Sequence, residues 1–219
     1  MSAIRAVFAA AAGAYDRGNP LLLMERPETE ALIGDVRGRR VLDLGAGTGH
    51  YAGWARARGA RVAVALDVTP EMLAHAPRPA VVADAARLPF GPGCFDVVVG
   101  ALVMSFVRDR GRLLREASRV LGPGGVLVLS DMHEIASDLG WERSFRGPNG
   151  ERLVIDAVPP RVEAMRKALG EAGFALEDVR EPRIDDRLAQ AFRRAGRSDF
   201  ETLRGLPVLQ LYRASRGGS

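Results

Sequence analysis

The chain has 219 residues, 47% of them hydrophobic and 26% charged, which suits one globular domain with a sizeable core and excludes a disordered or fibrous chain. No run of about 18 apolar residues occurs, so a membrane span is not expected. The net charge of +4 raises nucleic acid as a partner, yet Lys167 is the only lysine and the arginines alternate with acids, as in Arg108-Asp109-Arg110, the pattern of solvated helix faces.

Residues 2–14 are Ala-rich but lack the basic start, long apolar core and cleavage site of a secretion signal. Cys94 is the single cysteine and has no intrachain partner, which points to a reducing, cytoplasmic setting. Two helices are expected before residue 36, about Ser2–Gly13 and Pro20–Ile33, with Ala14-Tyr15-Asp16-Arg17-Gly18 between them. Tyr15 offers an apolar ring and a polar tip, so it suits either packing or a ligand. Glu25-Arg26-Pro27 opens or continues the second helix, with Arg26 expected at the surface.

Val41 to His50 is the stretch that organises the rest. A short apolar run reads as a buried parallel strand, passes through Gly45, Gly47 and Gly49, and enters a helix from Tyr51. Glycines between a strand and a helix let the backbone turn tightly and approach a ligand. The helix start is expected to offer free N–H groups to an anionic or polar ligand. Arg61 to Asp67 is a second apolar strand ending in an acid, 20 residues beyond Gly47, where a carboxylate can meet a ribose diol. The dinucleotide fingerprint G-x-G-x-x-G fits less well, because His50 holds the third-glycine position.

Strand and helix then alternate: a helix from Pro70, strands at Ala80–Ala83 and Phe95–Ala101, a helix at Asp109–Leu121 and a strand at Gly125–Ser130. Alternation of this kind implies a parallel sheet covered on both faces, with ligands at the carboxyl ends of its strands. Leu121-Gly-Pro-Gly-Gly125 reads as a helix stop and tight turn, structural rather than ligand-binding. Asn149-Gly150 marks a hairpin between residues 135 and 160, followed by a helix at Val162–Ala172 and strands at Phe174–Arg180 and Val208–Tyr212. The Arg-rich stretch 181–206 has no role assignable from its residues.

Five segments occur in order: Asp43-Leu-Gly-Ala-Gly-Thr-Gly49, Leu66-Asp67-Val-Thr-Pro-Glu-Met72-Leu73, Ala83-Asp84-Ala85-Ala86-Arg87-Leu88-Pro89-Phe90, Phe95-Asp96-Val-Val-Val99 and Leu121-Gly-Pro-Gly-Gly125-Val-Leu-Val-Leu129. Together they resemble the class I S-adenosylmethionine-dependent methyltransferases. The nearest group is the small-molecule, type 11 enzymes similar to the ubiquinone and menaquinone methyltransferases. The resemblance implies an α/β, Rossmann-like three-layer sandwich with a mostly parallel seven-stranded sheet, its last strand antiparallel, plus N-terminal helices and a lid inserted after strand 5. It implies one methyltransferase domain over residues 1–219, with a helical cap (1–36), a cofactor core (37–134), an acceptor lid (135–160) and the remaining sheet and helices (161–214).

The resemblance also distributes roles. Gly45, Ala46 and Gly47, with Asp43 nearby, are expected to hold the methionine end of S-adenosylmethionine, and Asp67 its ribose. Val68 and Met72 are expected to sandwich the adenine, with Asp84 and Ala85 on its edge, although Met72 also reads as an ordinary core residue and Asp84 as a turn former. Ala101 and the segment to Phe106 form the floor, with Ser105 its polar side chain; Tyr15 and His50 lie beside the cofactor. His133 ends the fifth strand and is the candidate base, with Tyr15 a second catalytic candidate, though transfer from a sulfonium needs positioning more than a base. Ser105, His133, Trp141, Phe145 and Arg146 are the acceptor-site candidates, and no metal is expected.

The implied activity is methyl transfer to oxygen, nitrogen or carbon of a small metabolite, with S-adenosylhomocysteine as product. Alternatives of the same fold act on nucleic acid or protein. From other classes come a non-catalytic binding module and a dinucleotide-dependent oxidoreductase.

Overall fold

The computed structural model describes residues 3–16, 19–140, 143–146, 151–155 and 157–217. Its framework is a seven-stranded sheet in the order β3-β2-β1-β4-β5-β9-β8, built from β1 (Arg40–Leu44), β2 (Val62–Asp67), β3 (Ala80–Val82), β4 (Phe95–Ala101), β5 (Leu121–Met132), β8 (Phe174–Arg180) and β9 (Leu209–Arg216). The strands from β3 to β5 pair in parallel, whereas β9 runs antiparallel to both β5 and β8. This is the sheet expected from the sequence, with the last strand reversed. Two further strands, β6 (Arg143–Arg146) and β7 (Arg152–Ile155), pair with each other as the expected hairpin after β5.

Alternation along the strands explains why both faces are covered. Val41, Ala63, Ala65, Val97, Val99, Val126 and Val128 point to one side, where they pack with α2 (Pro20–Ile33), α3 (His50–Ala57) and residues of α8 (Ala189–Arg194) and α9 (Phe200–Leu203). Leu42, Leu44, Val64, Leu66, Val98, Leu127 and Leu129 point to the other, against α5 (Arg110–Val120) and α7 (Val162–Glu171). Valines and alanines face α2 and α3, and the opposite layer is mostly leucine.

The first three strands step outward from β1, and β4 then returns to its other side. The loops after β1 and β4 therefore diverge, opening a crevice at the carboxyl ends of the strands. Helix α1 (Ala3–Ala11) lies above that crevice, where Ala11 packs with Ile155 of β7 and with Phe8, Tyr15 and Phe106. Asn19 fixes the start of α2 by accepting the Leu21 N–H at 3.0 Å, and Gly34, at φ 73°, ends it.

Two stretches differ from expectation. Strand β5 begins at Leu121 rather than Gly125, because Phe95 pairs with Leu121 before a shift in register aligns Val97 with Val126; the glycine run is an irregularity within a strand. Residues 181–206 fold into α8, α9 and a short 3-10 turn, whose Phe192 and Leu203 are buried in the core. Short helices carry too little periodicity to be read from sequence. No helix among the described residues is long and apolar enough to cross a membrane.

Candidate functional site

The crevice is a cleft of about 670 Å³, within the range of small-molecule sites. The loop from Gly45 to Gly49 forms one wall. All three of its glycines have positive φ, and two leave no room for a side chain: a Cβ on Gly45 would come within 2.5 Å of Val103 Cγ2, and one on Gly49 within 2.7 Å of Ala76 Cβ and Pro77 Cδ. On Gly47 it would lie 3.0 Å from Met72 Cε. The loop is thus pinned between β4's exit loop and α4 (Pro70–Leu73).

Hydrogen bonds fix its direction. Gly45 and Ala46 donate their N–H groups to the Leu66 carbonyl at 2.8 and 2.9 Å, and Gly47 donates to Asp67 Oδ2 at 2.9 Å. Asp43 closes the start of α3, accepting from the backbone of Tyr51 and of Ala52, the latter at 2.9 Å. The expectation of free N–H groups at this helix start is therefore corrected for Tyr51 and Ala52, whose N–H groups are taken by a buried carboxylate of the chain itself. Asp43 is only 2% exposed, and burial, with Asp67 and Glu25 nearby, pushes its carboxyl up to about 7 against the opposing pull of those N–H groups.

Asp67 ends β2 with its other oxygen accepting from Thr69 N–H at 2.8 Å. A carboxylate has about four lone-pair positions, so two remain for a diol at the cleft. Beyond it lie Val68, Met72, Asp84 and Ala85, all lining the same end of the cleft. Met72 is buried and Val68 exposed. Asp84 uses Oδ1 to accept the Ala86 N–H at 2.8 Å, the turn geometry weighed from its sequence, while standing at the cleft edge.

Ala101, Leu102 and Val103 form the floor. Leu102 has φ 54°, a rare conformation for a branched side chain and one that clusters at functional sites. Tyr15 and Asp16 reach the cleft from above. Asp16 accepts the Thr48 hydroxyl at 2.7 Å and pairs with Arg26, tying the segment after α1 to the glycine loop. Ile4, Arg5, Phe8 and Phe106 complete the roof, with Phe8 edge-on to Phe106 at 5.1 Å. His50 lines the cleft with Nε2 3.2 Å from Glu30 Oε1; burial, then Arg26, holds its ring below the ordinary histidine range.

Of the five acceptor-site candidates, two fall outside the cleft lining, and the side chains of the other three lie outside the description. His133 is 4% exposed and does not line the cleft. Its Nδ1 accepts the Ile135 N–H at 3.1 Å, capping α6 (Glu134–Asp138), and its Nε2 faces Glu181 at 3.4 Å. With the Nδ1 lone pair so engaged, it is placed as a helix cap rather than a base. Ser105 is likewise buried outside the cleft lining, donating its hydroxyl to Asp131 Oδ1 at 2.5 Å. Trp141 lies outside the described residues; Phe145 and Arg146 fall on β6, and only their backbone is described.

Sequence reasoning missed Glu25. It is 1% exposed yet lines the cleft, and accepts hydroxyl hydrogen bonds from Thr29, Tyr51 and Ser130, each at 2.6 Å. The signal was present: Leu21, Glu25, Thr29 and Leu32 share one helical face, which puts two polar residues on the buried side.

Known proteins show the same architecture. The model of a family described as methyltransferase domain matches residues 42–129, the span from β1 to β5. A malonyl-[acyl-carrier protein] O-methyltransferase of Pectobacterium atrosepticum is 35% identical over 149 residues, covering 64% of this chain and 58% of that protein. A demethylmenaquinone methyltransferase of Clavibacter sepedonicus is 36% identical over 140 residues, 58% of this chain and 57% of that one. The chain thus spans about three fifths of the length of the curated relatives it matches. The crystal structure of an S-adenosylmethionine-dependent methyltransferase from Mesorhizobium loti superposes with a TM-score of 0.70 at 28% identity, covering 88% of this chain and 98% of the other.

Proposed function

We propose that the chain is a class I S-adenosylmethionine-dependent methyltransferase that transfers the donor's methyl group to an oxygen, nitrogen or carbon of a small metabolite, leaving S-adenosylhomocysteine. The observation that carries the reading is Asp67 anchored to the glycine loop at the mouth of the β1–β4 crevice, with two lone-pair positions left for a ribose. Met72 and Val68 flank the adenine, Asp84 and the Ala85 N–H meet its edge, and Asp43 lies at the methionine end with Gly45 and Ala46.

The donor supplies a methyl group on a sulfonium whose leaving group is neutral. What this chain adds is alignment: the floor at Ala101–Val103 and the roof at Phe8, Tyr15 and Phe106 confine an acceptor to one line of approach and keep water out. Since His133 sits outside the cleft, the reaction runs without it, on an acceptor that ionises readily or loses its proton to water. Tyr15 orients the acceptor.

The relatives are named for acceptors as different as a malonyl-carrier protein and a demethylmenaquinone. A roof of Ile4, Phe8 and Phe106 beside Arg5 suits an acceptor with an apolar body and a polar or anionic end. Arg40, Arg119, Arg180, Arg187, Arg204 and Arg213 each pair with an acid, which leaves them no part in a phosphate-binding stripe. Cys94, free of any disulfide, fits a reducing compartment, and the enzyme is assigned to the cytoplasm.

The test is an incubation with methyl-labelled S-adenosylmethionine and a metabolite extract, followed by mass identification of the labelled product. Label on a small molecule supports the reading. Donor binding without any transfer would leave a non-catalytic binding module instead.

A further inference from the structure

The segment that follows β4 climbs from the floor of the cleft to its rim, and its chemistry changes on the way. Val103, Phe106 and Val107 line the cleft with apolar atoms, and Arg108 and Arg112, next along the chain, line it with guanidinium groups. Arg87, from the turn between β3 and β4, lines the same cleft. All three arginines are exposed, which places them at the mouth.

Local structure fixes where they stand. Asp109 caps α5 by accepting the Arg112 N–H at 2.8 Å, so Arg108 precedes the helix and Arg112 lies in its first turn. Arg110, between them, does not line the cleft: its Nε donates to the Met104 carbonyl at 2.9 Å, and its Nη2 to the Val158 carbonyl at 2.5 Å. One arginine thus braces the floor loop, and its two neighbours are left at the cleft. Arg87 is set by a turn in which its N–H donates to the Asp84 carbonyl at 2.9 Å.

Acids of the chain do not neutralise this rim. Among the described residues, Arg87, Arg108 and Arg112 form no ion pair. Glu116, one helical turn beyond Arg112, has both oxygens engaged by Arg119, at 2.7 and 2.8 Å, and also accepts the Leu88 N–H. Guanidinium groups converging on one concave cleft focus positive potential there. Their planar forks match a carboxylate or a phosphate. The donor does not bring that anion, because its own carboxylate lies with the Gly45–Gly47 loop in the reading above.

Resting on the reading of the cleft as a methyltransferase site, we propose that the acceptor is a small anion, an apolar body bearing a carboxylate or a phosphate, and that Arg108 and Arg112, with Arg87 beside them, select it by that charge. The apolar strip from Val103 to Val107 takes the body, and the arginines hold the charge at the mouth. That arrangement fixes which end of the acceptor points inward. The arginines act on binding rather than on the transfer itself, so their loss raises KM more than it lowers kcat.

The experiment divides a metabolite extract by anion exchange into retained small molecules, unretained small molecules and macromolecules. Each fraction is incubated with methyl-labelled S-adenosylmethionine and the full chain. Label is expected on a retained small molecule, whose mass tells a carboxylate from a phosphate. On that acceptor, Arg108→Gln and Arg112→Gln should each lower kcat/KM roughly 10-fold, and the double variant roughly 100-fold, mostly through KM. Arg108→Lys and Arg112→Lys keep the charge and should recover part of the loss. Affinity for S-adenosylhomocysteine, measured by calorimetry, should stay within about twofold in the double variant, showing an intact fold and donor site. Label confined to unretained molecules or macromolecules, or a double variant with an unchanged kcat/KM, would overturn the proposal. Should the double variant not fold, salt decides: a wild-type KM that does not rise with sodium chloride overturns it. Binding of S-adenosylhomocysteine with no label in any fraction is the failure of the methyl-transfer reading, and the role of the rim falls with it.

Discussion

Asp67 accepts the Gly47 N–H at 2.9 Å, joining the carboxyl end of β2 to the middle of the glycine loop after β1. The acid thus has two tasks, holding the loop and presenting its remaining lone pairs to the cleft. Asp67→Ala removes both. Hydrogen bonds to a charged group contribute about 1.5–3 kcal/mol each, so donor affinity is expected to fall roughly 10- to 100-fold or more. Asp67→Asn keeps an acceptor for Gly47 but loses the charge, and should fall between wild type and Ala when the two are compared by calorimetry.

Gly45→Ala meets two obstacles, a φ of 70° and a Cβ 2.5 Å from Val103 Cγ2. Overpacking and a left-handed non-glycine residue each cost about 1–3 kcal/mol. Thermal melts should show a midpoint lowered by roughly 5–15 °C. Adding Val103→Ala should recover part of that loss, because it removes the clash but leaves the backbone strain. Full recovery would mean that the φ value contributes nothing.

His133→Ala should leave methyl transfer per folded molecule unchanged and lower stability by about 1 kcal/mol, since the residue caps α6 outside the cleft. His133→Asn, which preserves a capping acceptor, should restore most of that stability. A rate loss with an unchanged melting midpoint would return His133 to the chemistry.

Asp43 gives the protein a pH dependence of definite sign. Its carboxyl is raised by burial from 3.8 to about 7, so between those values the folded state binds more protons than the unfolded state. Stability from this group is therefore largest below about 4 and is lost as pH rises towards 7, on the order of 4 kcal/mol in all. Asp43→Asn should flatten that part of the curve in melts from pH 5 to 8. Added S-adenosylhomocysteine should raise the melting midpoint more at pH 8 than at pH 6. A larger rise at pH 6 would oppose the role given to Asp43.

The parts of the site visible in the sequence are those made locally. Gly45, Gly47 and Gly49 mark the turn because only glycine is free of strain at positive φ, and Asp67 stands at a fixed distance after them. The alternation of strand and helix gave the sheet and its crevice. Glu25 was hidden because its partners Tyr51 and Ser130 lie 26 and 105 residues away, distances that no local pattern spans. The same holds for Asp43 closing α3: the residue was noticed, but the helix start was expected to serve a ligand. His133 misled for the opposite reason. Its position at the end of β5 resembles that of a site residue, yet its side chain turns to the Ile135 N–H and Glu181.

The account turns on where an S-adenosyl ligand binds, and a crystal structure with S-adenosylhomocysteine tests that directly. Density is expected in the β1–β4 crevice, with the ribose hydroxyls on Asp67, the adenine between Val68 and Met72, and the methionine end beside Asp43 and the Gly45–Gly47 loop. Density at another place on the molecule, or a ribose that does not touch Asp67, would contradict it.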